Sequence, residues 1–101
     1  MSEKMYTLAM WKVKSGRDSE FVEAWKDLNT TFSELPSPPL GGGVLLQSLE
    51  EPSVYYSFGP WASTEDIAAM REDPAAQESI HRLIDLCEEA APGGYRVVAE
   101  T

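Results

Sequence analysis

The segment Met5 to Val13 carries apolar side chains on both of its alternating faces, Met5, Thr7, Ala9, Trp11 and Val13 on one and Tyr6, Leu8 and Met10 on the other, with Lys12 closing the second set. Rich in β-branched, aromatic and long apolar residues and bounded by Lys14-Ser15-Gly16, it is predicted to be a first strand. A sheet with one solvated face alternates cleanly between apolar and polar residues, so this strand demands cover on both sides. The chain has 101 residues, the size of one ordinary domain, which buries only about two-thirds of its unfolded surface. Residues 1–101 are therefore expected to form a single domain with a modest core of its own.

Phe21, Trp25, Leu28 and Phe32 recur at helical steps with Glu20, Glu23, Lys26 and Asp27 between them, the pattern of an amphipathic helix. Ser15 or Asp18 is the expected N-cap. The helix should stop near Ser33, because Pro36, Pro38, Pro39 and Gly41 to Gly43 cannot continue it. That segment is expected to connect two elements, with the mouth of a pocket as its alternative use. Val44 to Leu49 and Ser53 to Phe58 are two short apolar runs around Glu50-Glu51-Pro52, a hairpin composition. Gly59-Pro60 should weaken the second run and leave Trp61 at its exit or on a bulge. Ser63 with Asp66 starts another helix, which Asp73-Pro74 restarts. Ile80, Leu83, Ile84 and Cys87 then line up at helical spacing, Pro92-Gly93-Gly94 should end the helix, and Tyr95 to Ala99 is expected to be a last strand.

The order is β-α-β-β-α-β. With right-handed crossovers its compact arrangement is α+β: a ferredoxin-like antiparallel sheet with the helices on one face. The other face, presenting Tyr6, Leu8 and Met10, is then bare, and its simplest cover is the same face of a second copy about a two-fold axis. A homodimer through that face is expected.

Eight Lys and Arg against seventeen Asp and Glu give a net charge of −9, which repels phosphate backbones and anionic lipid, so neither nucleic acid nor a membrane is expected as a partner. The start Met1-Ser2-Glu3-Lys4-Met5 lacks the basic and apolar regions of a leader, and no apolar run is long enough for a membrane span, so a cytoplasmic protein is expected. Cys87 is the only cysteine, which rules out an internal disulfide or a Cys-x-x-Cys pair and leaves a buried, inert thiol as the plainest expectation. There is no Gly-rich phosphate loop, nucleophile elbow, His-Glu-x-x-His or cluster of metal ligands, so no metal site is expected.

Several segments together resemble a known family. They are the strand ending Lys12-Val13-Lys14-Ser15-Gly16, the helix residues Phe21 and Trp25, the Gly43 to Ser48 strand, and Tyr55-Tyr56-Ser57 leading to Trp61-Ala62-Ser63. In their order and spacing the chain resembles the dimeric α/β-barrel proteins and, within them, the antibiotic biosynthesis monooxygenase family, over almost its whole length. The resemblance implies a homodimer whose two sheets pack into a barrel, with one pocket per subunit between sheet and helices. It also implies oxidation of a small phenolic, hydroquinone or polyketide-like aromatic by molecular oxygen, with no cofactor. A haem-degrading branch of the family uses an Asn on the first strand, a Trp after the third and a His on the second helix. This sequence keeps Trp61, has Ala9 and Arg71 at the other two places, and carries His81 about ten residues late, so haem degradation is disfavoured.

The expected pocket is lined by Thr7, Ala9 and Trp11 from the first strand and by Phe21 and Trp25 from the first helix, with Trp61 at the exit of the third strand. Simple alternation puts Tyr55, Ser57 and Gly59 on Trp61's face, whereas a bulge at Gly59-Pro60 would substitute Tyr56 and Phe58; Tyr55 is preferred. For aromatics at core spacing, plain packing is the competing role. His81 is the only histidine, either a proton acceptor in the pocket or a surface residue in i,i+4 contact with Asp85. Trp61, His81 and Tyr55 are thus the candidate catalytic residues of a cofactor-free monooxygenase, and Thr7, Ala9, Trp11, Phe21, Trp25 and Ser57 the candidate substrate-binding ones. The alternatives are a barrel that binds a small aromatic without turning it over, and an isomerase or cyclase working by proton transfer.

Overall fold

The computed structural model describes residues 4–101; Met1, Ser2 and Glu3 of the N-terminal segment read above lie outside the described residues. The elements run β1 (Met5–Val13), α1 (Asp18–Ser33), β2 (Val44–Gln47), β3 (Val54–Trp61), α2 (Thr64–Glu72), α3 (Pro74–Asp85) and β4 (Cys87–Arg96). The four strands form one antiparallel sheet in the order β2-β3-β1-β4, the ferredoxin-like arrangement that the element order predicts. The doubly apolar strand β1 is central, paired on both edges.

Met5, Ala9, Trp11 and Val13 are buried. Two clusters pack on this side of the sheet, one joining Ala9, Trp11 and Val13 to Phe21, Ala24, Leu28 and Leu83, the other joining Met5 and Trp61 to Ile67, Met70 and Ala76. Phe32 and Ile80 touch both clusters. All three helices therefore cover the same sheet face. No described helix is long and apolar enough to cross a membrane.

The helix starts follow from local chemistry. Ser63 accepts a hydrogen bond from the Asp66 amide at 3.1 Å, and Asp73 accepts one from Ala76 at 3.0 Å with Pro74 in the first helical position. Helix α1 differs from expectation: Arg17 is its N-cap and makes no side-chain cap. Gly16 precedes it at φ +80°, the left-handed turn that lets the chain leave β1.

Trp61 is the last residue of β3, at the strand's exit, and the alternative bulge at Gly59-Pro60 is absent. Pairing of β1 with β3 is continuous from Met5 opposite Trp61 to Lys12 opposite Val54. Pro60 is tolerated because its carbonyl points toward Leu40, whose amide it accepts at 3.0 Å. Its missing N–H lies on that same side, beyond the end of β2, where no strand needs it.

The C-terminal third departs most from the sequence reading. Helix α3 ends at Asp85, and the last strand is Cys87–Arg96 rather than Tyr95 to Ala99. Cys87 therefore begins a strand instead of extending a helical stripe, though it is buried as expected. Pro92, Gly93 and Gly94 lie inside β4 opposite Ala9, Leu8 and Thr7. A proline is accommodated there because β4 is an edge strand. Between Lys12 and Val13 the register shifts by one residue of β4, leaving Glu88 as a bulge.

Candidate functional site

A cavity of about 640 Å³ lies between the sheet and the helices, of a size that suits a ligand of two or three fused rings. It sits between the two core clusters, with Trp11 and Leu28 from one and Trp61 and Met70 from the other in its wall, together with Phe32 and Ile80. Trp61 is 1% exposed, and Phe32 meets its ring edge-on at 5.4 Å between centroids.

Six of the expected pocket residues, Thr7, Ala9, Trp11, Trp25, Ser57 and Trp61, line this cavity, as does His81. Both buried indoles are tied to hydroxyls across the sheet. Trp11 Nε1 donates to Ser57 Oγ at 2.9 Å and Trp61 Nε1 donates to Thr7 Oγ1 at 3.0 Å. Each hydroxyl thus spends acceptor capacity on an indole and keeps its own proton to donate. His81 is exposed on α3, at the rim.

Two candidates lie elsewhere. Phe21 is fully buried between Trp11 and Tyr55, with ring centroids at 5.8 Å and 5.3 Å, and does not reach the cavity. Tyr55 is on the helix-facing side, as alternation requires, but its phenol donates to Asp18 Oδ2 at 2.8 Å and accepts from Gln47 Nε2 at 3.2 Å, outside the cavity wall. Burial, reinforced by the Asp18 carboxylate, pushes the phenol up to about 12. Tyr55 is corrected from a pocket residue to a strut between α1 and β3.

The cavity also has walls that the sequence reading did not assign. Asn29 donates from Nδ2 to the Trp25 carbonyl at 2.9 Å, and its Oδ1 lies 3.0 Å from where a Cβ on Gly43 would sit. Gly43 is thus wedged against α1, and it comes close to Gly59 as well. Asn29 stands one turn beyond Trp25, so helical spacing could have found it. Arg71, Gln77 and the strand residues Pro92 to Gly94 complete the wall. The last three were hidden by taking β4 for the end of a helix. Pro39, Gly41 and Gly43 show that the Pro-Gly loop borders the cavity. Among the described residues no group of three or more His, Cys, Asp or Glu side chains could hold a metal ion.

No family model and no curated protein matches the chain. Solved structures do. A variant of SnoaB, a cofactor-independent oxygenase from Streptomyces nogalater, superposes with a TM-score of 0.84 at 13% identity, covering 98% of this chain and 97% of that one. An antibiotic biosynthesis monooxygenase-like protein from Bordetella bronchiseptica gives 0.81 at 18% identity over 99% and 100% of the two chains. Another, from Caulobacter crescentus, gives 0.78 at 19% identity over 99% and 92%. At such identities the likeness is one of fold, and the chain has the ferredoxin-like α+β fold of the antibiotic biosynthesis monooxygenase-like proteins.

Proposed function

We propose that the chain is a cofactor-independent monooxygenase of a small phenolic, hydroquinone or polyketide-like aromatic. The observation that carries this is the aromatic-walled cavity between sheet and helices, with the chain's single histidine, His81, on its rim. The shared fold with SnoaB supports the same reading.

The reaction draws its electrons from the substrate. His81 accepts the phenolic proton, and the resulting anion gives one electron to oxygen. The two radicals combine to form a C–O bond at the ring carbon, and the peroxide anion so formed takes back the proton held by His81. That hydroperoxide loses water, its O–O bond breaking as the carbon loses its remaining hydrogen, and a carbonyl is left. One oxygen atom enters the product and the other leaves as water. Trp61, Trp25 and Phe32 hold the ring and exclude water, and the Thr7 and Ser57 hydroxyls donate to the developing oxyanion.

The test is oxygen uptake with 1,8-dihydroxyanthrone, an activated phenolic arene. Uptake above that of heat-denatured protein, one oxygen per quinone formed, is expected, with a fall on the order of 100-fold in His81→Gln. Turnover that is unchanged under anaerobic conditions, or absent in air, overturns the proposal; ligand bound and recovered unmodified would instead favour a binding protein.

We infer further that the active form is a homodimer. Tyr6, Leu8 and Met10 project from β1 on the side away from the helices, beside Tyr56 and Phe58 of β3 and Val44 and Leu46 of β2. Tyr56 is 44% and Leu46 51% exposed. In a chain of net charge −9, this strip is uncharged along its middle. A two-fold axis would lay it on itself without opposing like charges.

A further inference from the structure

Acidic residues outnumber basic ones seventeen to eight, yet no Asp or Glu lines the cavity, whose ionisable side chains are Arg71 and His81. The other basic groups are engaged. Lys4, Lys12, Arg17, Lys26 and Arg82 form ion pairs, Lys14 donates to the Asp85 carbonyl, and Arg96 also has a partner. Among the described Lys and Arg side chains, the Arg71 guanidinium alone makes no ion pair or hydrogen bond within the chain.

It lies against the last strand at a glycine. One guanidinium nitrogen lies 3.6 Å from where a Cβ on Gly94 would be, so the group rests over the backbone of β4 beside Ile67. Gly94 is opposite Thr7, the residue whose hydroxyl holds the Trp61 indole. The guanidinium therefore belongs to the Trp61 end of the cavity, with a planar fork of donors and no acceptor supplied by the protein.

We propose that Arg71 is an anion-recognition residue and that the cavity takes an arene bearing an ionised carboxylate, its ring between Trp61, Trp25 and Phe32 and its carboxylate on the guanidinium. This rests on the cavity being the ligand site, as proposed above, but not on any reaction with oxygen. A carboxylate matches the fork with two parallel hydrogen bonds, which a neutral ring substituent cannot reproduce. The absence of acidic residues in the wall spares such a ligand close contact with the carboxylates that give the chain its net charge.

The test is calorimetric titration with 1-naphthoate and with naphthalene-1-carboxamide, its uncharged counterpart of the same shape, with no turnover required. The wild type is expected to prefer the carboxylate by roughly tenfold, a preference that shrinks with added salt. Arg71→Gln should abolish the preference while leaving the amide affinity unchanged, and Arg71→Lys should keep part of it. Equal affinity for the two ligands in the wild type, no binding of naphthoate, or a preference that survives Arg71→Gln overturns the assignment. An equal loss for both ligands in Arg71→Gln also overturns it, because it would make the residue structural. Failure of the oxygenase reading would appear in oxygen uptake and leave these affinities as they are.

Discussion

The phenol of Tyr55 donates a 2.8 Å hydrogen bond to the carboxylate of Asp18, fastening the start of β3 to the first residue of α1. The pair is a cross-link between layers. It holds α1 over the sheet at the end away from Trp61.

Tyr55→Phe should therefore cost about 1.5–3 kcal/mol in urea unfolding at pH 7, the range for a hydrogen bond to a charged group. Burial of the phenol, reinforced by the bond, also makes stability fall with alkali. The folded phenol titrates at about 12, above its ordinary 10, so between those values the unfolded chain has released a proton that the native state keeps. Stability is fully present below about pH 10 and is lost as the pH rises through 12. The wild type should lose more than Tyr55→Phe over that window, and parallel curves would show that the native phenol is not held buried against Asp18.

Trp11 and Ser57 test the sheet face under the cavity. Both are buried, and their 2.9 Å bond satisfies the indole N–H. Ser57→Ala strands that donor and should cost roughly 1–3 kcal/mol. Combining it with Trp11→Phe removes donor and acceptor together, so the pair should show a coupling of about 1 kcal/mol in a double-mutant cycle. Strict additivity would mean that the bond contributes nothing.

These bonds were partly legible in the sequence. Alternation along β1 and β3 placed Trp11, Ser57, Thr7 and Trp61 on one face, because period two follows from strand geometry alone. Strand β4 was not legible. Ile80, Leu83, Ile84 and Cys87 keep helical spacing, and Glu88 to Ala91 are helix formers, so local preference argued for a longer helix. What overrules it is the second edge of β1, whose backbone groups would otherwise lie buried without partners. Val97 continues that ladder, donating to the Lys4 carbonyl at 2.9 Å. Tyr55 fails as a pocket residue for a different reason: alternation fixes the face of a side chain but not its position along the strand, and Asp18 claims it at the closed end.

Cys87 gives a probe of opening at the α3–β4 junction. It is 7% exposed, and burial pushes its thiol up to about 11 against the opposing charge of Lys14. At pH 8 only on the order of 0.1% is thiolate in the native state. Labelling with an aromatic disulfide should therefore be at least about 100-fold slower in native protein than in urea-unfolded protein. Lys14→Gln should slow it further, since it removes the one nearby charge that favours the thiolate. Rapid native labelling would mean that β4 detaches from β1 well below the global unfolding free energy.

The open sheet face yields the last prediction. Met10 pairs with Tyr56, Leu8 with Phe58 and Tyr6 with Tyr95 across β1's two edges, and the Tyr6 and Phe58 rings lie 6.4 Å apart. These side chains point away from the helices, so the monomer's core does not depend on them. The wild type should sediment with twice the chain mass at micromolar concentration. Leu8→Asp should sediment as a folded monomer, because a carboxylate at the centre of a two-fold interface meets its own copy and both lose water. Far-UV circular dichroism like that of the wild type would separate this from unfolding, and Glu23→Lys, an exposed change on α1, should leave the mass doubled. A wild-type monomer would mean that the strip of Tyr6, Leu8 and Met10 stays in water, and that the second apolar face of β1 is cover for something other than this chain.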